Sequence, residues 1–321
     1  MEPAARLVKA AAIDAGSNTI LLVVGETDPS APAGYRVIGE EIEYARLGEG
    51  VDKSGRLSAE AMERGLSAFR NYVSRCIALD VPKIVSSGTS ALRDASNGPD
   101  FLARVKQETG VAITIIDGVR EARLGFASAT DELADGTPAV VLDVGGGSAQ
   151  LMSGHARRGV TAAVSFQLGA VRLTERHVKH DPPTTDELAQ LGADIDDGLA
   201  RGSVSKTGEG APDALPGAEV IGVSGTCTTL AAISMGMSEY DSSRIHGAVL
   251  SRAEIERLLA SFLATDTAGR SRMPGLHPKR ADVIIAGTLV VLRVLTRYRR
   301  EALRIADRGI RHALLREAIL G

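Results

Sequence analysis

Two apolar strands joined by a glycine turn decide the fold, in the stretch AVVLDVGGGSAQLMSG at residues 139–154. The first strand ends in Asp143, and the turn runs through residues 145–148. The stretch AAIDAGSNTILLVVGE at residues 11–26 repeats the arrangement around Asp14. Short apolar runs bounded by glycines are typical of strands. A strand ending in Asp, a turn of small residues and a second strand therefore occur twice in this chain.

Two further pairs of motifs follow in the same order. KIVSSGTSALRDA at 83–95 and EVIGVSGTCTTLAAI at 219–233 each run from a strand through Ser-Gly-Thr into sequence compatible with a helix. ITIIDGVREARLGF at 113–126 and LRIADRGIRHALLREAI at 303–319 each combine a β-branched run, an Asp and a Gly, and a basic helix. A repeated order of unlike motifs indicates a duplicated fold.

The duplication predicts two related α/β domains, which the chain of 321 residues is long enough to form. We expect the first domain at residues 1–127 and the second at 128–321, with GFASATDELADGTP around the joint. The last helix of the chain is expected to pack back on the first domain.

A helix is also predicted to begin after Ser58, with apolar residues at helical spacing on its inner face. These residues are Met62, Leu66, Phe69, Val73 and Ile77.

Composition excludes several classes of protein. Lys and Arg total 37 against 40 acidic residues, a net charge of −3, so a general nucleic-acid-binding surface is not expected. The most apolar later stretch, residues 283–294, is interrupted by Arg293 and is too short for a membrane helix. The apolar start of the chain is broken by Asp14, which disfavours a signal peptide. With two cysteines far apart in sequence, a cytoplasmic location is expected.

The two hairpin turns are candidates for phosphate binding. Consecutive glycines and hydroxyl residues expose backbone N–H groups to anions, and an Asp at the strand end can hold a metal or orient water. For one hairpin alone, an ordinary tight turn is the preferred explanation. Neither turn matches a Walker A loop or a dinucleotide-binding GxGxxG turn, and residues 222–226 do not form a GxSxG nucleophile motif.

Two charged residues are candidates for chemistry, each with a structural alternative. Arg93 stands near a predicted helix start, where it can bind a phosphate or form a salt bridge to Asp94 or Glu108. Glu121 opens the helix after Gly118, where it can deprotonate water or complement the helix dipole.

An ordered set of motifs across nearly the whole chain resembles the exopolyphosphatase and guanosine pentaphosphate phosphohydrolase (Ppx/GppA) family. The motifs are IDAGSNT (13–19), SGTSALRDA (87–95), DG..EARL (117–124), LDVGGGS (142–148), GVSGT (222–226), PGL (274–276) and ADRGIR (306–311). The resemblance implies the acetate and sugar kinase, heat-shock protein and actin superfamily, with two ribonuclease-H-like domains of mixed sheets flanked by helices around a cleft. The chain resembles the short, two-domain form.

The resemblance also implies hydrolysis of terminal phosphate from inorganic polyphosphate, or from guanosine pentaphosphate, with Mg²⁺ or Mn²⁺. Glu121 matches the general base, and Asp143 matches the carboxylate that binds metal or positions water; Asp14 and Glu121 are further candidate metal ligands. A homodimer is expected, without nucleic-acid or membrane partners. The positions that match substrate-binding residues are Ser17, Asn18, Thr19, Arg93, Gly145, Gly146, Gly147, Ser148, Gly225 and Thr226.

Two departures from the family pattern keep other functions open. Gln150 stands where the family has a catalytic Glu, and Arg120 stands where it has the first of two glutamates. The first alternative is therefore a weak or inactive enzyme that binds (p)ppGpp or polyphosphate as a regulator. A kinase of the same superfamily, or an enzyme that transfers phosphate from polyphosphate to ADP, is a further alternative.

Overall fold

Two separate sheets organise the computed structural model, which describes residues 8–31, 34–201 and 215–321. Residues 1–7, 32–33 and 202–214 lie outside the described residues. The described chain divides into two compact units. Unit 1 comprises the residues up to Ile116 together with Ile310–Gly321, and unit 2 comprises Asp117–Gly309.

The elements before the division at Ile116 form a mixed sheet and its flanking helices. They are β1 (Lys9–Ala15), β2 (Ile20–Thr27), β3 (Tyr35–Glu43), α1 (Val51–Ser54), α2 (Ala59–Ala78), β4 (Lys83–Gly88), α3 (Ser90–Asp94), α4 (Gly98–Thr109) and β5 (Thr114–Ile115).

The remaining elements form unit 2, except for the last helix, which belongs to unit 1. They are α5 (Gly118–Ala129), β6 (Pro138–Val144), β7 (Ala149–His155), β8 (Gly159–Phe166), α6 (Ala170–His177), α7 (Thr185–Arg201), β9 (Glu219–Val223), α8 (Ser224–Ser234), α9 (Ser242–Ile245), β10 (Val249–Ser251), α10 (Arg252–Leu263), α11 (Thr267–Arg270), a 3₁₀ turn (Pro278–Arg280), α12 (Ile284–Arg297), β11 (Ala302–Ile305) and α13 (Ile310–Leu320).

The two sheets share one topology. Unit 1 has the strand order β3-β2-β1-β4-β5, and unit 2 has the order β8-β7-β6-β9-β11 with β10 added beyond β11. In each sheet three consecutive strands are antiparallel, and two later strands, β4 and β5 in unit 1 and β9 and β11 in unit 2, run parallel to the first of them. The added strand β10 pairs antiparallel with β11. The duplication and the α/β class predicted from the ordered motifs are therefore confirmed.

The division between the units differs from the predicted boundary at 127/128. Helix α5 packs through Ala122 and Phe126 on Val141 and Val223, which lie in the sheet of unit 2. Because an amphipathic helix belongs to the sheet that covers its apolar face, the division falls before α5 rather than at its end. Glu121 is consequently part of unit 2.

The last helix, α13, packs on strands β1, β2 and β4 of unit 1, as expected for the end of the chain. A charged cluster joins it to β3: Glu40 Oε1 accepts hydrogen bonds from Arg311 Nη2 at 3.2 Å and from His312 Nε2 at 2.9 Å. Burial by itself raises the pKa of Glu40, but the hydrogen bonds and charges of these two partners outweigh it and lower the pKa to about 2.

The predicted helix after Ser58 is confirmed as α2, with the Ser58 hydroxyl capping Ala61 N–H. Its inner face differs from the prediction at the C-terminal end, where Ile77 is 70% exposed. Tyr72 and Cys76 are fully buried there instead. Phe69, Val73 and Ile77 are four residues apart, and two such steps drift about 80° around a helix with 3.6 residues per turn, so Ile77 leaves the core.

None of the helices in the described part of the chain combines the length and apolar character required to span a membrane.

Candidate active site

The turn between β6 and β7, named here hairpin 2 (residues 143–150), is held from one side by the start of α6. Gly145 O accepts the N–H of Ala170 at 2.8 Å, and Gly146 O accepts the N–H of Val171 at 2.9 Å. Within the turn itself, Gly145 N–H donates to Ser148 O at 2.9 Å. The carbonyl oxygens of the glycine turn are therefore directed towards α6.

This arrangement leaves a row of N–H groups on the opposite side of the turn. Gly147 O is held as well, by Arg172 Nε of α6 at 2.8 Å. In a planar trans peptide the N–H points away from the preceding C=O, so the anchored carbonyls at 145, 146 and 147 turn the N–H groups of 146, 147 and 148 away from α6. Those three N–H groups donate to no other backbone group among the described residues. Successive N–H groups with this orientation form a concave anion-binding site.

The turn between β1 and β2, named hairpin 1 (residues 14–19), has the same construction. Gly16 N–H donates to Thr19 O at 2.9 Å, which matches the closing bond of hairpin 2. Ser17 O accepts the N–H of Gly48 at 2.7 Å, and Asn18 O accepts the N–H of Arg46 at 3.0 Å. The N–H groups of residues 18 and 19 consequently face away from the segment that holds the carbonyls.

The supporting segments depend on two glycines that were not singled out in the sequence. Residues 46–48 are named support segment 1, and residues 169–172 are named support segment 2. A Cβ on Gly48 would lie 2.8 Å from Ser17 Cβ, and a Cβ on Gly169 would overlap the backbone of Gly146 and Gly147. Only glycine permits these approaches. Gly48 lies in a turn and Gly169 directly precedes α6. The residues that they approach are distant in sequence, so the local sequence does not predict either contact.

Strand β4 and the start of α3 bring hydroxyl groups to hairpin 1. Ser87 lies opposite Asp14 in the parallel register of β1 and β4, and its Oγ donates to Asp14 Oδ1 at 3.0 Å. Ser17 Oγ and Ser90 Oγ are 3.0 Å apart. The structure thus brings together the first predicted phosphate turn, its strand-end carboxylate and the Ser-Gly-Thr motif of the same unit.

Arg93 lies in the last turn of α3 with a partly exposed side chain. Its Nη1 donates to Ile116 O at 3.1 Å, and its Nε is 3.9 Å from Asp94 Oδ1. The structural alternative for Arg93, a salt bridge to Asp94, is therefore present with a long N···O distance. Glu108, the other alternative partner, is bound by Arg70 and Arg104 instead.

The Ser-Gly-Thr motif of unit 2 supports hairpin 2 from the start of α8. Ser224 Oγ donates to Val144 O at 2.9 Å, and Thr226 Oγ1 donates to the same oxygen at 3.2 Å. Ser224 adopts a φ of 71°, which is uncommon for a residue other than glycine. Burial raises the pKa of Asp143 to about 6, against a hydrogen bond from Ser224 that lowers it.

A second arginine, Arg280, lies directly over Gly225. A Cβ on Gly225 would overlap the Arg280 guanidinium group, so the two are in close contact. Arg280 ends the 3₁₀ turn that follows Pro274-Gly275-Leu276. The PGL motif was the available signal in the sequence, but it does not identify the arginine that follows it.

Asp143, Gln150 and Glu121 all belong to unit 2. Asp143 and Gln150 stand opposite each other in the antiparallel register of β6 and β7, and Gln150 is buried. Glu121 lies in the first turn of α5 and is also buried. That turn is capped by Asp117, whose side chain accepts the N–H of Arg120 at 2.8 Å, while Arg120 itself is exposed.

The sequence profile of the Ppx/GppA phosphatase family matches residues 23–320 of the chain. The chain belongs to this family. It is 33% identical to Exopolyphosphatase 2 of Mycobacterium tuberculosis over 295 residues, which cover 89% of each sequence.

Solved structures of Ppx/GppA relatives share the whole architecture. A crystal structure described as an exopolyphosphatase-like protein superimposes with a TM-score of 0.87 at 30% identity, covering 98% of both chains. The Aquifex aeolicus member of the Ppx/GppA family superimposes with a TM-score of 0.78 at 28% identity, again covering 98% of both chains. The actin-like fold that the resemblance implied is therefore confirmed.

Proposed function

We propose that this Ppx/GppA protein is an exopolyphosphatase that releases the terminal phosphate of inorganic polyphosphate. The observation that carries the proposal is the row of N–H groups at residues 146–148, turned away from α6 in the turn that follows β6 and its Asp143. Relatives named exopolyphosphatases, similar over most of their length, support polyphosphate as the substrate.

Backbone N–H groups in this orientation suit phosphoryl transfer. The transferred group carries negative charge on its outer oxygens, and fixed N–H dipoles stabilise that charge without rearrangement during the reaction. In the proposed complex, residues 146–148 bind the terminal phosphoryl group. Thr226 keeps hairpin 2 in place through Val144 O, and Arg280 supplies a positive charge over Gly225. Hairpin 1 and Arg93, both in unit 1, are proposed as a phosphate-binding surface of that unit.

Glu121 is proposed as the general base. Its carboxylate is buried in the unit that carries Asp143 and hairpin 2. In the proposed reaction a water oxygen attacks the terminal phosphorus, the proton of that water passes to Glu121, and the bond to the bridging oxygen breaks. The shortened polyphosphate leaves with the bridging oxygen, and orthophosphate is the second product.

The oxygen donors of unit 2 fit a divalent cation such as Mg²⁺ or Mn²⁺. Asp143 offers a carboxylate and Gln150, opposite it in the register, offers an amide oxygen. No cluster of three or more His, Cys, Asp or Glu side chains in the described ranges is arranged to hold a metal. Magnesium sites in phosphoryl-transfer enzymes use one or two carboxylates completed by substrate oxygens, which this donor set permits. When bound, the ion would neutralise charge on the phosphoryl group.

The proposal is tested by phosphate release from long-chain polyphosphate and, separately, from guanosine pentaphosphate with Mg²⁺ or Mn²⁺. Glu121→Gln is expected to lower the rate at least a hundredfold, since general bases contribute about 10²–10⁴-fold. Glu60→Gln is the matched control, because Glu60 also lies in the first turn of a helix but is exposed. Undiminished release by Glu121→Gln would refute its role as the base.

One observation favours a second function, in which the protein binds polyphosphate or (p)ppGpp without rapid hydrolysis. Gln150 faces Asp143 with a neutral amide, so the pair offers one carboxylate rather than two. Tight binding by calorimetry with negligible phosphate release would support this function. Phosphate release that appears only in Gln150→Glu would also support it, whereas rapid release by the wild type would exclude it.

A further inference from the structure

The carbonyl groups of hairpin 2 are not all held in the same way. The main-chain N–H groups at the start of α6 bind Gly145 O and Gly146 O. Gly147 O, the last of the three, is bound by a side chain: Arg172 Nε donates to it at 2.8 Å. The orientation of the final peptide of the turn thus depends on one arginine.

The position of Arg172 is itself well defined. Its main-chain N–H donates to Gly146 O at 3.1 Å, and its side chain is half-buried beneath the turn. The guanidinium and the main chain of Arg172 therefore bind two successive carbonyls of hairpin 2. A side chain held at both ends in this way resists rotation of the Gly147–Ser148 peptide.

We infer that Arg172 is a positioning residue for the phosphate-binding face of hairpin 2, an inference that rests on the proposed function. Because the Gly147–Ser148 peptide is planar and trans, the hydrogen bond to Gly147 O directs the Ser148 N–H away from α6. A cationic donor on the carbonyl also polarises the peptide, which strengthens its N–H as a donor to phosphate. Arg172 acts on the far side of the peptide and contacts the substrate only through it.

The same helix provides a matched control. Arg176 lies one turn after Arg172 on α6, and its Nη1 is 3.6 Å from Asp194 Oδ2 on α7. Replacing either arginine with methionine removes one cation from α6 and keeps most of the aliphatic packing. Only the change at 172 removes the hydrogen bond to Gly147 O.

The kinetic test compares phosphate release by wild type, Arg172→Met, Arg172→Lys and Arg176→Met. Arg172→Met is expected to lower kcat about ten- to hundredfold with a smaller change in KM, since the donor matters most for the charge of the transition state. Arg172→Lys is expected to stay at least fivefold below wild type because an ammonium lacks the fixed Nε geometry. Full activity in Arg172→Lys, or equal losses in the two methionine variants, would overturn the inference.

A second measurement does not depend on turnover. Orthophosphate is titrated into ¹⁵N-labelled protein while the amide signals of Gly147 and Ser148 are followed. Wild type and Arg176→Met are expected to show a shift of both signals, and Arg172→Met is expected to lose the Ser148 shift while other amides keep their positions. An unchanged Ser148 response in Arg172→Met would refute the positioning role. Absent phosphate release by the wild type would instead count against the proposed function alone.

Discussion

Replacement of Gly48 by alanine tests whether support segment 1 fixes the geometry of hairpin 1. The added Cβ would lie 2.8 Å from Ser17 Cβ and 3.3 Å from Ser17 O. Gly48 does not have a positive φ, so alanine meets no backbone strain at this position. The effect of the substitution is therefore purely steric, and it acts on the turn whose N–H groups are proposed to bind phosphate.

The size of the effect follows from the overlap. Ordinary carbon contacts begin near 3.5 Å, so Ser17 and Gly48 must separate by about 0.7 Å. Overpacking of this kind costs about 1–3 kcal/mol of folding stability. Because a displacement of about 1 Å in a site can lower the rate about a hundredfold, we expect kcat/KM for polyphosphate to fall roughly ten- to hundredfold.

The assay is steady-state phosphate release combined with thermal unfolding. Gly39→Ala is the control, since its Cβ would have its nearest neighbours at 3.9 Å in ordinary contact. That variant is expected to keep the wild-type kcat/KM. A Gly48→Ala protein with kcat/KM within twofold of wild type would refute the view that this close approach positions hairpin 1.

Three other predictions concern separate parts of the molecule. Gly225→Ala is expected to displace the guanidinium of Arg280 and raise KM for polyphosphate several-fold, and an unchanged KM would contradict a role for that contact. Since the folded pKa of Glu40 is about 2 and its ordinary value is 4.5, its contact with His312 stabilises the fold above pH 4.5, and this contribution is lost as the pH falls towards 2. Allowing for solvent screening, this contact contributes about 1–2 kcal/mol to the free energy of unfolding. In urea unfolding, the free energy of the Glu40→Gln variant should therefore fall less steeply with decreasing pH than that of the wild type. Both cysteines are buried with raised thiol pKa values, so a thiol reagent at pH 8 should label the native protein slowly and the unfolded protein at two sites; rapid labelling of the native state would contradict their burial.

The elements nearest to glycine turns could be predicted most fully from the sequence. Hairpins 1 and 2 are visible as apolar runs ending in Asp and followed by small residues, because strand and turn preferences act over a few residues. The cap of α2 at Ser58 is equally local. The inner face of that helix is less local, since Tyr72 and Cys76 rather than Ile77 fill the core at its C-terminal end.

The boundary between the two units could not be predicted from such local preferences. Helix α5 follows directly from β5 in the sequence, and the change in composition comes only after it. What assigns α5 to unit 2 is the packing of residues such as Phe126 against Val141. A helix with an apolar face is compatible with either sheet until that contact is known.

The sequence by itself determined the two-fold repeat, the α/β class and the residues of both turns, because each rests on short-range patterns. Tertiary structure alone decided which groups support those turns. Gly48, Gly169 and Arg172 are ordinary residues in the sequence, and they gain their roles from contacts with residues 17, 146 and 147. The direction of a peptide N–H depends on what holds the carbonyl behind it, and here the holding groups come from segments distant in sequence.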